Sequence, residues 1–179
     1  ERLKRQKEEE ARIKKAKALV LPGVGAFGDA VQELEEQKLF DSLIHLIPKK
    51  PTLGICLGMQ LMFSRSSESP DYEGFNLIDG EVKQLESESN SIKVPHTGWN
   101  RLIPLKQPKF YGYVHFNHTY YCKPVNEEII VSQVLHGEFI PSIIKNDTFL
   151  GTQFHPEKSG EIGLNIINWF VNQIGGNLR

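Results

Sequence analysis

The sequence is poor in cysteine, contains no long apolar run and has almost no net charge. Its 179 residues include two cysteines, Cys56 and Cys122, which are too few for a disulfide framework and form no Cys-x-x-Cys metal pattern. No apolar stretch approaches the ~20 residues of a membrane-spanning helix, and the first residues lack the apolar core of a secretion signal. We therefore expect a soluble, cytoplasmic protein that binds no membrane.

Charge is unevenly distributed along the chain, although its net value is −1. Residues 1–17 carry eight Lys or Arg against four Glu, and the remainder carries thirteen basic against eighteen acidic residues. We interpret residues 1–17 as a charged helical arm, with a basic contact patch as the alternative. Residues 18–179 are long enough for one globular domain, and their acidic balance argues against binding of nucleic acid.

The domain begins with a pattern typical of a parallel α/β sheet. The short apolar runs at 18–21 and 52–56 predict strands that are buried on both faces. Helical spacing over 31–47 follows the first run, and a helix over 57–63 follows the second. Because strand, tight turn and helix form the repeating unit of such folds, we predict an α/β domain whose mostly parallel central sheet is flanked by helices.

The middle of the chain predicts β-strands or hairpins built around this sheet. Short runs separated by Gly, Pro, Asn and Asp indicate strands at 81–85, 111–122, 129–134 and 139–145. A strand at 149–154 is expected to pair with the preceding one across the Asn146-Asp147 turn. Apolar residues from Leu164 to Ile174 predict a terminal helix that ends at Gly175-Gly176.

The segment Gly54-Ile-Cys56-Leu-Gly58 is the most informative for chemistry. A cysteine between a buried strand and a helix, with a glycine two residues away on each side, is typical of a nucleophile on a sharp turn. There the helix dipole would favour the thiolate, and the N–H of Leu57 would be available to an oxyanion. The alternative is a buried structural cysteine, which is our interpretation of Cys122 because it has no such setting.

A thiolate that attacks a carbonyl needs a proton shuttle, and the shuttle needs an orienting group. Among the six histidines, His155 is the best candidate because it ends the strand at 149–154 and has Glu157 two residues further on. A turn there can bring the carboxylate back to the imidazole. We therefore predict that Cys56, His155 and Glu157 form a catalytic triad.

Four segments, in chain order, carry a resemblance to a known family. They are Pro22-Gly-Val-Gly-Ala-Phe-Gly28, Gly54-Ile-Cys-Leu-Gly-Met-Gln60, Val94-Pro-His-Thr-Gly-Trp-Asn100 and Gly151-Thr-Gln-Phe-His-Pro-Glu-Lys-Ser-Gly160. With them the chain resembles the class I (triad) glutamine amidotransferases, from about residue 12 to the C-terminus. The first, third and fourth segments together point to the HisH-type glutaminase subunits of imidazole glycerol phosphate synthase. The resemblance implies a flavodoxin-like domain.

The resemblance also implies hydrolysis of glutamine to glutamate and ammonia. Cys56 would attack the side-chain amide, His155 would protonate the departing ammonia and then activate water, and Glu157 would orient His155. A peptide segment beside the nucleophile would complete the oxyanion hole with Leu57, and this segment contains Gly23, Val24 and Gly25. Glycines there permit backbone states that other residues resist.

The same resemblance implies the substrate contacts. Glu68 matches a position suited to the α-ammonium of glutamine. The stretch His118-Thr119-Tyr120 matches a segment whose backbone lies along the α-carboxylate. Gly25 and Gln60 also match substrate-binding positions of the family.

Ammonia released into water would be protonated and lost, so these enzymes deliver it through a partner. The resemblance implies a HisF-like cyclase subunit of (β/α)8-barrel form. The positions that match its interface are Pro95, His96, Trp99 and Lys158. No cofactor is implied, and the histidines lack the spacing of metal ligands, so no metal is expected.

The chain departs from the family pattern at its start. The family begins with a strand that carries an Asp-Tyr-Gly-x-Gly-Asn motif, followed by a helix and a second strand, and none of these precedes residue 18 here. We expect the first βαβ unit to be missing or not represented. Because its loss would expose an unpaired sheet edge, residues 1–179 alone are predicted to be poorly soluble or to bind a hydrophobic dye.

Departures at His115, Asn117 and Asn76 lie on the substrate and partner side. The changes at His115 and Asn117 keep one alternative open, and the missing N-terminal unit keeps a second one open. One is a paralogous glutaminase that supplies ammonia to another synthase, such as one that amidinates a surface-polysaccharide sugar. The other is a non-catalytic module that binds a partner through the same fold. The intact triad residues argue against the second alternative.

Overall fold

A computed structural model of the protein describes residues 2–86, 92–106 and 110–174. The helices are α1 (Arg2–Lys15), α2 (Phe27–Glu36), α3 (Phe40–Leu46), α4 (Leu57–Gln60) and α5 (Gly160–Ile174). The strands are β1 (Leu19–Leu21), β2 (Thr52–Ile55), β3 (Gly80–Gln84), β4 (His96–Pro104), β5 (Gly112–His118), β6 (Tyr120–Pro124), β7 (Ile130–His136), β8 (Glu138–Asn146) and β9 (Phe149–Thr152). Within these ranges, no helix has the length and apolar character needed to cross a membrane.

Seven strands form one mixed sheet in the order β1-β2-β9-β8-β7-β4-β5. The first three strands are parallel, whereas every later pair in this order is antiparallel. The predicted mostly parallel sheet is therefore corrected to a mixed one. The physical reason is that hairpins join β4 to β5, β7 to β8 and β8 to β9, and a short hairpin can connect only antiparallel strands.

The α/β class is confirmed, with helices on both faces of the sheet. Phe27 and Val31 of α2 belong to one buried apolar cluster, and Ile166 and Phe170 of α5 belong to another. The neighbouring residues Phe149 and Leu150 of β9 divide between the two clusters. This alternation is what a strand covered on both faces requires.

The edge strand β1 differs from its prediction. It pairs with β2 on one side, and among the described residues it is the terminal strand of the sheet. Leu19 is buried, but Val20 is 52% exposed. The expectation of a strand buried on both faces is therefore wrong for Val20.

The helical pattern over 31–47 corresponds to two helices, α2 and α3. Lys38 lies between them with a φ of 59°, a left-handed conformation that interrupts a right-handed helix. The helix predicted over 57–63 is also shorter, since only Leu57–Gln60 is α-helical. Beyond it the N–H groups of Met62 and Phe63 bond to carbonyls three residues back, at 3.2 and 3.1 Å, so the chain tightens and turns away.

The strands and hairpins expected in the middle of the chain are present. The run predicted at 111–122 is divided into β5 and β6, which belong to different sheets, because β6 pairs with β3. Strand β4 had no predicted counterpart. The β8-β9 hairpin and the terminal helix α5 are confirmed, but the turn of the hairpin lies at Asp147-Thr148 and not at Asn146-Asp147, because Asn146 still pairs with Phe149. The predicted end of that helix at Gly175-Gly176 lies outside the described residues.

Helix α1 lies against the body of the protein near α2 and α3. Ile13 and Ala16 pack on the apolar cluster that contains α2. The Lys50 ammonium donates to the carbonyls of Ile13, Lys14 and Ala16 at 3.0, 2.6 and 2.7 Å. A cation at the carbonyl end of a helix satisfies acceptors that the helix leaves unpaired. The division into an arm of residues 1–17 and a domain of 18–179 stays a prediction.

Candidate active site

Cys56 lies on a strained turn between β2 and α4. Its φ and ψ are 52° and −105°, in a region that residues with a Cβ rarely adopt. Its N–H donates to the Thr152 carbonyl at 2.7 Å, which ties the turn to the end of the neighbouring strand β9. The sharp turn predicted from the sequence is thus present.

The glycines around Cys56 allow this turn because other parts of the chain lie very close to them. A Cβ at Gly58 would overlap the carbonyl oxygen of Leu21 in β1. A Cβ at Gly54 would lie 2.8 Å from the backbone of Gly58 and 2.7 Å from the Phe149 ring. Larger residues at these positions would force strand, turn and helix apart.

The sulfur of Cys56 is buried, and its surroundings disfavour the thiolate. Burial, with smaller contributions from the negative charges of Glu157 and Glu68, raises the pKa of the Cys56 thiol to about 11. Hydrogen bonds from the Leu57 backbone and the Gln153 amide act in the opposite direction. The expected thiolate at a helix N-terminus is therefore corrected to a thiol at neutral pH, because α4 is too short to outweigh burial.

His155 and Glu157 are joined by a hydrogen bond. The distance from His155 Nδ1 to Glu157 Oε1 is 2.8 Å, and His155 is 3% exposed. Because a carboxylate only accepts, Nδ1 carries a proton, and in this tautomer Nε2 is the nitrogen that can accept another. The backbone fixes this ring, since the N–H of His155 donates to the His115 carbonyl at 2.9 Å.

Parallel pairing brings the two parts of the predicted triad to one edge of the sheet. Ile55 at the end of β2 pairs with Thr152 at the end of β9. Cys56 follows the first strand directly, and His155 follows the second by three residues. The carboxyl ends of parallel strands are the usual place for ligand sites in such sheets.

A cavity of about 250 Å³ opens beside Cys56. Its lining includes every residue predicted to contact substrate and three of the four residues predicted for the oxyanion hole. The lining residues are Val24, Gly25, Cys56, Leu57, Gln60, Glu68, Pro95, Asn117, His118, Thr119 and Tyr120. This volume is below the roughly 300–1,000 Å³ of pockets for drug-sized molecules, so the cavity suits a small polar ligand.

Gly23, the remaining residue predicted for the oxyanion hole, is not part of that lining. It packs against Leu57 instead, since a Cβ at Gly23 would lie 2.9 Å from the Cβ of Leu57. The next residues, Val24 and Gly25, reach the cavity, and Gly25 has a φ of 111° that favours glycine.

Glu68 is held by the start of α2. Its Oε2 accepts from the Phe27 N–H at 2.8 Å, and Ser69 Oγ accepts from the Gly28 N–H at 2.9 Å. The first N–H groups of a helix have no partner within the helix, so this loop satisfies two of them. One carboxylate oxygen of Glu68 is thereby fixed while its charge faces the cavity.

The cavity wall that contains His118, Thr119 and Tyr120 is held by a chain of hydrogen bonds that runs through two histidine rings. The Asn100 amide donates to His96 Nε2 at 3.2 Å, so His96 Nδ1 carries the proton and donates to His118 Nε2 at 2.9 Å. His118 Nδ1 then donates to the Tyr120 carbonyl at 2.9 Å, and Gln60 Nε2 donates to the same oxygen at 3.0 Å. This directionality follows because an amide nitrogen can only donate.

Burial keeps both histidines of this chain neutral. Desolvation, followed by the charge of His118, lowers the pKa of His96 to about 3. Desolvation also lowers the pKa of His118 to about 4. His96 stacks on Phe116 and His136, with ring centroids 4.4 and 4.0 Å away.

The positions predicted to face a partner differ in exposure. Trp99 is 58% exposed, and Pro95 and Lys158 are also exposed. His96 is only 3% exposed, so the expectation that its side chain faces a partner is corrected. The reason is the register of β4 and β5, which pairs His96 with His118 inside the structure.

Comparison with known proteins agrees with this geometry. A sequence model of the family described as glutamine amidotransferase class-I matches residues 2–174. The chain belongs to this family. As an amidotransferase, it is a glutamine-hydrolysing enzyme.

The relatives of this amidotransferase include two HisH subunits of imidazole glycerol phosphate synthase. The subunit from Geobacillus thermodenitrificans is 41% identical over 179 residues, covering 95% of this chain and 83% of the relative. The subunit from Oceanobacillus iheyensis is 41% identical over 174 residues, covering 93% and 85%. A crystal structure of a glutamine amidotransferase matches with a TM-score of 0.72 and 15% identity, over 97% of this chain and 93% of that one, which supports the fold.

Two polar residues of the amidotransferase site were missed by sequence reasoning. Gln153 Nε2 lies 3.6 Å from Cys56 Sγ, and the Asn117 carbonyl lies 4.0 Å from the same sulfur. Gln153 was within reach of prediction, because it occupies the same strand end as His155. Asn117 was noted only as a departure from the family pattern, and nothing in its local sequence indicates a contact with Cys56.

Proposed function

We propose that the chain is the glutaminase subunit of an imidazole glycerol phosphate synthase, which hydrolyses L-glutamine and passes ammonia to a cyclase for histidine biosynthesis. The observation that carries this proposal is Cys56 on a strained turn beside a small polar cavity. The hydrogen-bonded pair of His155 and Glu157 lies at the same edge of the sheet. The similarity to HisH subunits supports the choice of synthase.

In the proposed reaction, His155 Nε2 takes the proton of the Cys56 thiol as the sulfur attacks the amide carbon of glutamine. A carbon–sulfur bond forms, and the carbon–nitrogen bond then breaks as the same histidine returns the proton to the leaving ammonia. Water, deprotonated by His155, attacks the resulting thioester and releases glutamate and the thiol. Glu157 orients the ring and stabilises its charged form.

The cavity supports binding of an amino acid in one orientation. Glu68 supplies the negative charge for the α-ammonium group. The backbone from His118 to Tyr120 lies along the α-carboxylate, and Gln60 holds that backbone through the Tyr120 carbonyl. Gly25 lines the same space.

The oxyanion formed during attack is assigned to the N–H of Leu57 and to the peptide segment 23–25. The pKa of Cys56 already reflects a hydrogen bond from the Leu57 backbone, which supports an N–H group close to the reacting centre. A glycine on either side of Val24 allows a peptide of this segment to reorient.

The partner in this proposal is a (β/α)8-barrel cyclase that docks on the exposed face formed by Pro95, Trp99 and Lys158. Tryptophan is one of the residue types that most often anchor protein interfaces. Trp99 contacts the His115 ring at a centroid distance of 5.7 Å, so the anchor is held in place before docking. A biosynthetic role of this kind supports a cytoplasmic location.

The test is glutamate formation from glutamine by the purified protein, with and without the cyclase and its nucleotide substrate. Wild type is compared with Cys56→Ala, and Cys122→Ala is the matched control because Cys122 is the other buried cysteine. We expect activity that rises with the cyclase, is lost in Cys56→Ala and stays within about threefold of wild type in Cys122→Ala.

Two other outcomes would overturn parts of the proposal. Activity that depends on Cys56 but ignores this cyclase would favour a glutaminase that feeds another synthase. Absence of hydrolysis with the cyclase present would favour a non-catalytic partner-binding module.

A further inference from the structure

Gln153 is a fully buried polar residue that makes its only described side-chain hydrogen bond to the nucleophile. Its exposed fraction is 0%, and its Nε2 lies 3.6 Å from Cys56 Sγ. Its Oε1 is buried and has no hydrogen-bond partner among the described residues. A buried orphan of this kind is unfavourable for folding, so the amide is better explained by its other end, which reaches the sulfur.

The position of Gln153 is fixed by the sheet rather than by its own side chain. It follows β9 directly, and its backbone N–H donates to the Ser142 carbonyl of β8 at 2.9 Å. The parallel register of β2 and β9 then sets the amide beside Cys56. The donor is thereby preorganised before substrate enters, which is the condition for efficient stabilisation of charge.

The contact between Gln153 and Cys56 favours one protonation state of the sulfur. An amide N–H only donates, and a thiolate is a much stronger acceptor than a thiol, so the bond from Gln153 strengthens when Cys56 loses its proton. The second contact of the sulfur acts in the opposite way, because the Asn117 carbonyl 4.0 Å away can only accept from the S–H. Gln153 thus favours the charged form that attacks the substrate.

We propose that Gln153 is an additional catalytic residue, whose side-chain N–H stabilises the Cys56 thiolate during attack on glutamine. This inference rests on the proposed function of Cys56 as the nucleophile. Among the other groups that act on this sulfur, the Leu57 backbone N–H also favours the charge, and it is the only other hydrogen bond that does so among the described residues. The remaining side chains do not stabilise the thiolate. Glu68 and Glu157 are negative, Cys122 is a neighbouring buried thiol, and His155 is the proposed proton acceptor.

The test compares Gln153→Met with Gln173→Met. Methionine fills a similar volume without a donor. Gln173 is a matched control because it is also buried and its Nε2 also has no partner among the described residues, yet it lies in α5. Gln153→Leu serves as a second apolar variant, and circular dichroism checks that each variant folds.

The first readout is the rate at which iodoacetamide alkylates Cys56 between pH 7 and 9.5, with the modified peptide identified by mass spectrometry. We expect the rate in Gln153→Met to be about threefold to tenfold lower across this range, because fewer thiolates form and each is slightly more nucleophilic. Gln173→Met is expected to match wild type. Equal rates in Gln153→Met, Gln153→Leu and wild type would overturn the proposal.

The second readout is glutamine hydrolysis. We expect kcat to fall about tenfold in Gln153→Met while KM stays within about twofold, because Gln153 does not line the cavity. A raised KM with unchanged kcat would contradict the assigned role. If the wild-type protein is alkylated at Cys56 but hydrolyses no glutamine, the proposed function is rejected. The effect of Gln153 on the sulfur can still be measured in that case.

Discussion

The parallel and antiparallel parts of the sheet position the site in different ways. Around β1, β2 and β9, backbone segments touch directly, and Gly54 and Gly58 leave room for that contact. Around β4 and β5, side chains do the positioning, through the hydrogen bonds of His96 and His118. The position of Cys56 therefore depends on close packing of the backbone. The position of the cavity wall at His118 and Tyr120 depends on the protonation states of His96 and His118.

The parallel part is most sensitive to added volume. We expect Gly58→Ala to unfold the turn, because the new Cβ overlaps the Leu21 carbonyl, with a loss of about 3 kcal/mol or more in stability and at least a hundredfold in kcat. Urea unfolding and glutamate release measure the two effects.

The control for that substitution lies in the antiparallel part. Gly98 in β4 has a positive φ of 109°, but no atom of the described residues lies within 4 Å of its Cβ position. Gly98→Ala is expected to lose only about 1 kcal/mol from backbone strain. Equal losses in the two variants would remove the distinction between the two parts of the sheet.

Glu68 lines the cavity together with residues that adjoin both parts of the sheet, and its substitution tests charge without changing shape. In Glu68→Gln the amide oxygen still accepts from the Phe27 N–H, but the negative charge is lost. We expect KM for glutamine to rise about tenfold to a hundredfold with little change in kcat, since an ion pair with the substrate is removed.

Ser69→Ala is the control for Glu68→Gln, because it removes the neighbouring hydrogen bond to Gly28 but no charge. Its KM is expected to stay within about twofold of wild type in steady-state assays. A similar rise of KM in both variants would show that loop position, and not charge, controls binding.

The antiparallel part is expected to be the acid-sensitive one. The pKa values of His96 and His118 are lowered to about 3 and about 4, below the ~6.5 of an unfolded chain, so the unfolded state binds more protons in acid. Their contribution to stability is complete above about pH 6.5 and is lost as the pH falls toward 4 for His118 and toward 3 for His96.

The variant His96→Gln should weaken this dependence. We expect the stability lost between pH 7 and 4.5 to be smaller by about 2 kcal/mol than in wild type, measured by urea unfolding at each pH. His45→Gln, at an exposed histidine of α3, should leave the pH dependence unchanged. An identical pH dependence in all three proteins would exclude the histidine pair as its source.

The smallest effect is expected at the contact between α1 and the body of the protein. Lys50→Met removes the three hydrogen bonds to the end of α1 and keeps the apolar stem of the side chain. A loss of about 1 kcal/mol is expected in urea unfolding, with kcat unchanged. A change in kcat would show that α1 influences the site.

The sequence predicted those parts of the site that are encoded locally. The turn at Cys56 was predictable because a strand, two glycines and a helix follow one another within a few residues. The bond from His155 to Glu157 was predictable for the same reason, since two residues separate them. The thiol state of Cys56 was not, because it depends on burial by distant segments and on the shortness of α4.

The histidine chain and the Gln153 contact required the tertiary structure. His96 meets His118 only through the register of β4 and β5, and β4 was not predicted from the local pattern of residues. Gln153 meets Cys56 only through the parallel register of β2 and β9. Strand register joins residues that are far apart in the chain, and periodicity does not specify it.

The Tyr120 carbonyl accepts hydrogen bonds from both His118 and Gln60. These bonds bear on which form of glutamine can bind beside it. A carbonyl oxygen has two lone pairs, so this acceptor is saturated. The Thr119 carbonyl is also engaged, by the Leu85 N–H at 2.9 Å. Under the proposed function, a glutamine whose α-carboxyl group is amidated or joined in a peptide would bring an N–H donor to the Tyr120 carbonyl, which has no lone pair left to accept it. We therefore expect the free amino acid to bind more tightly than its α-amide.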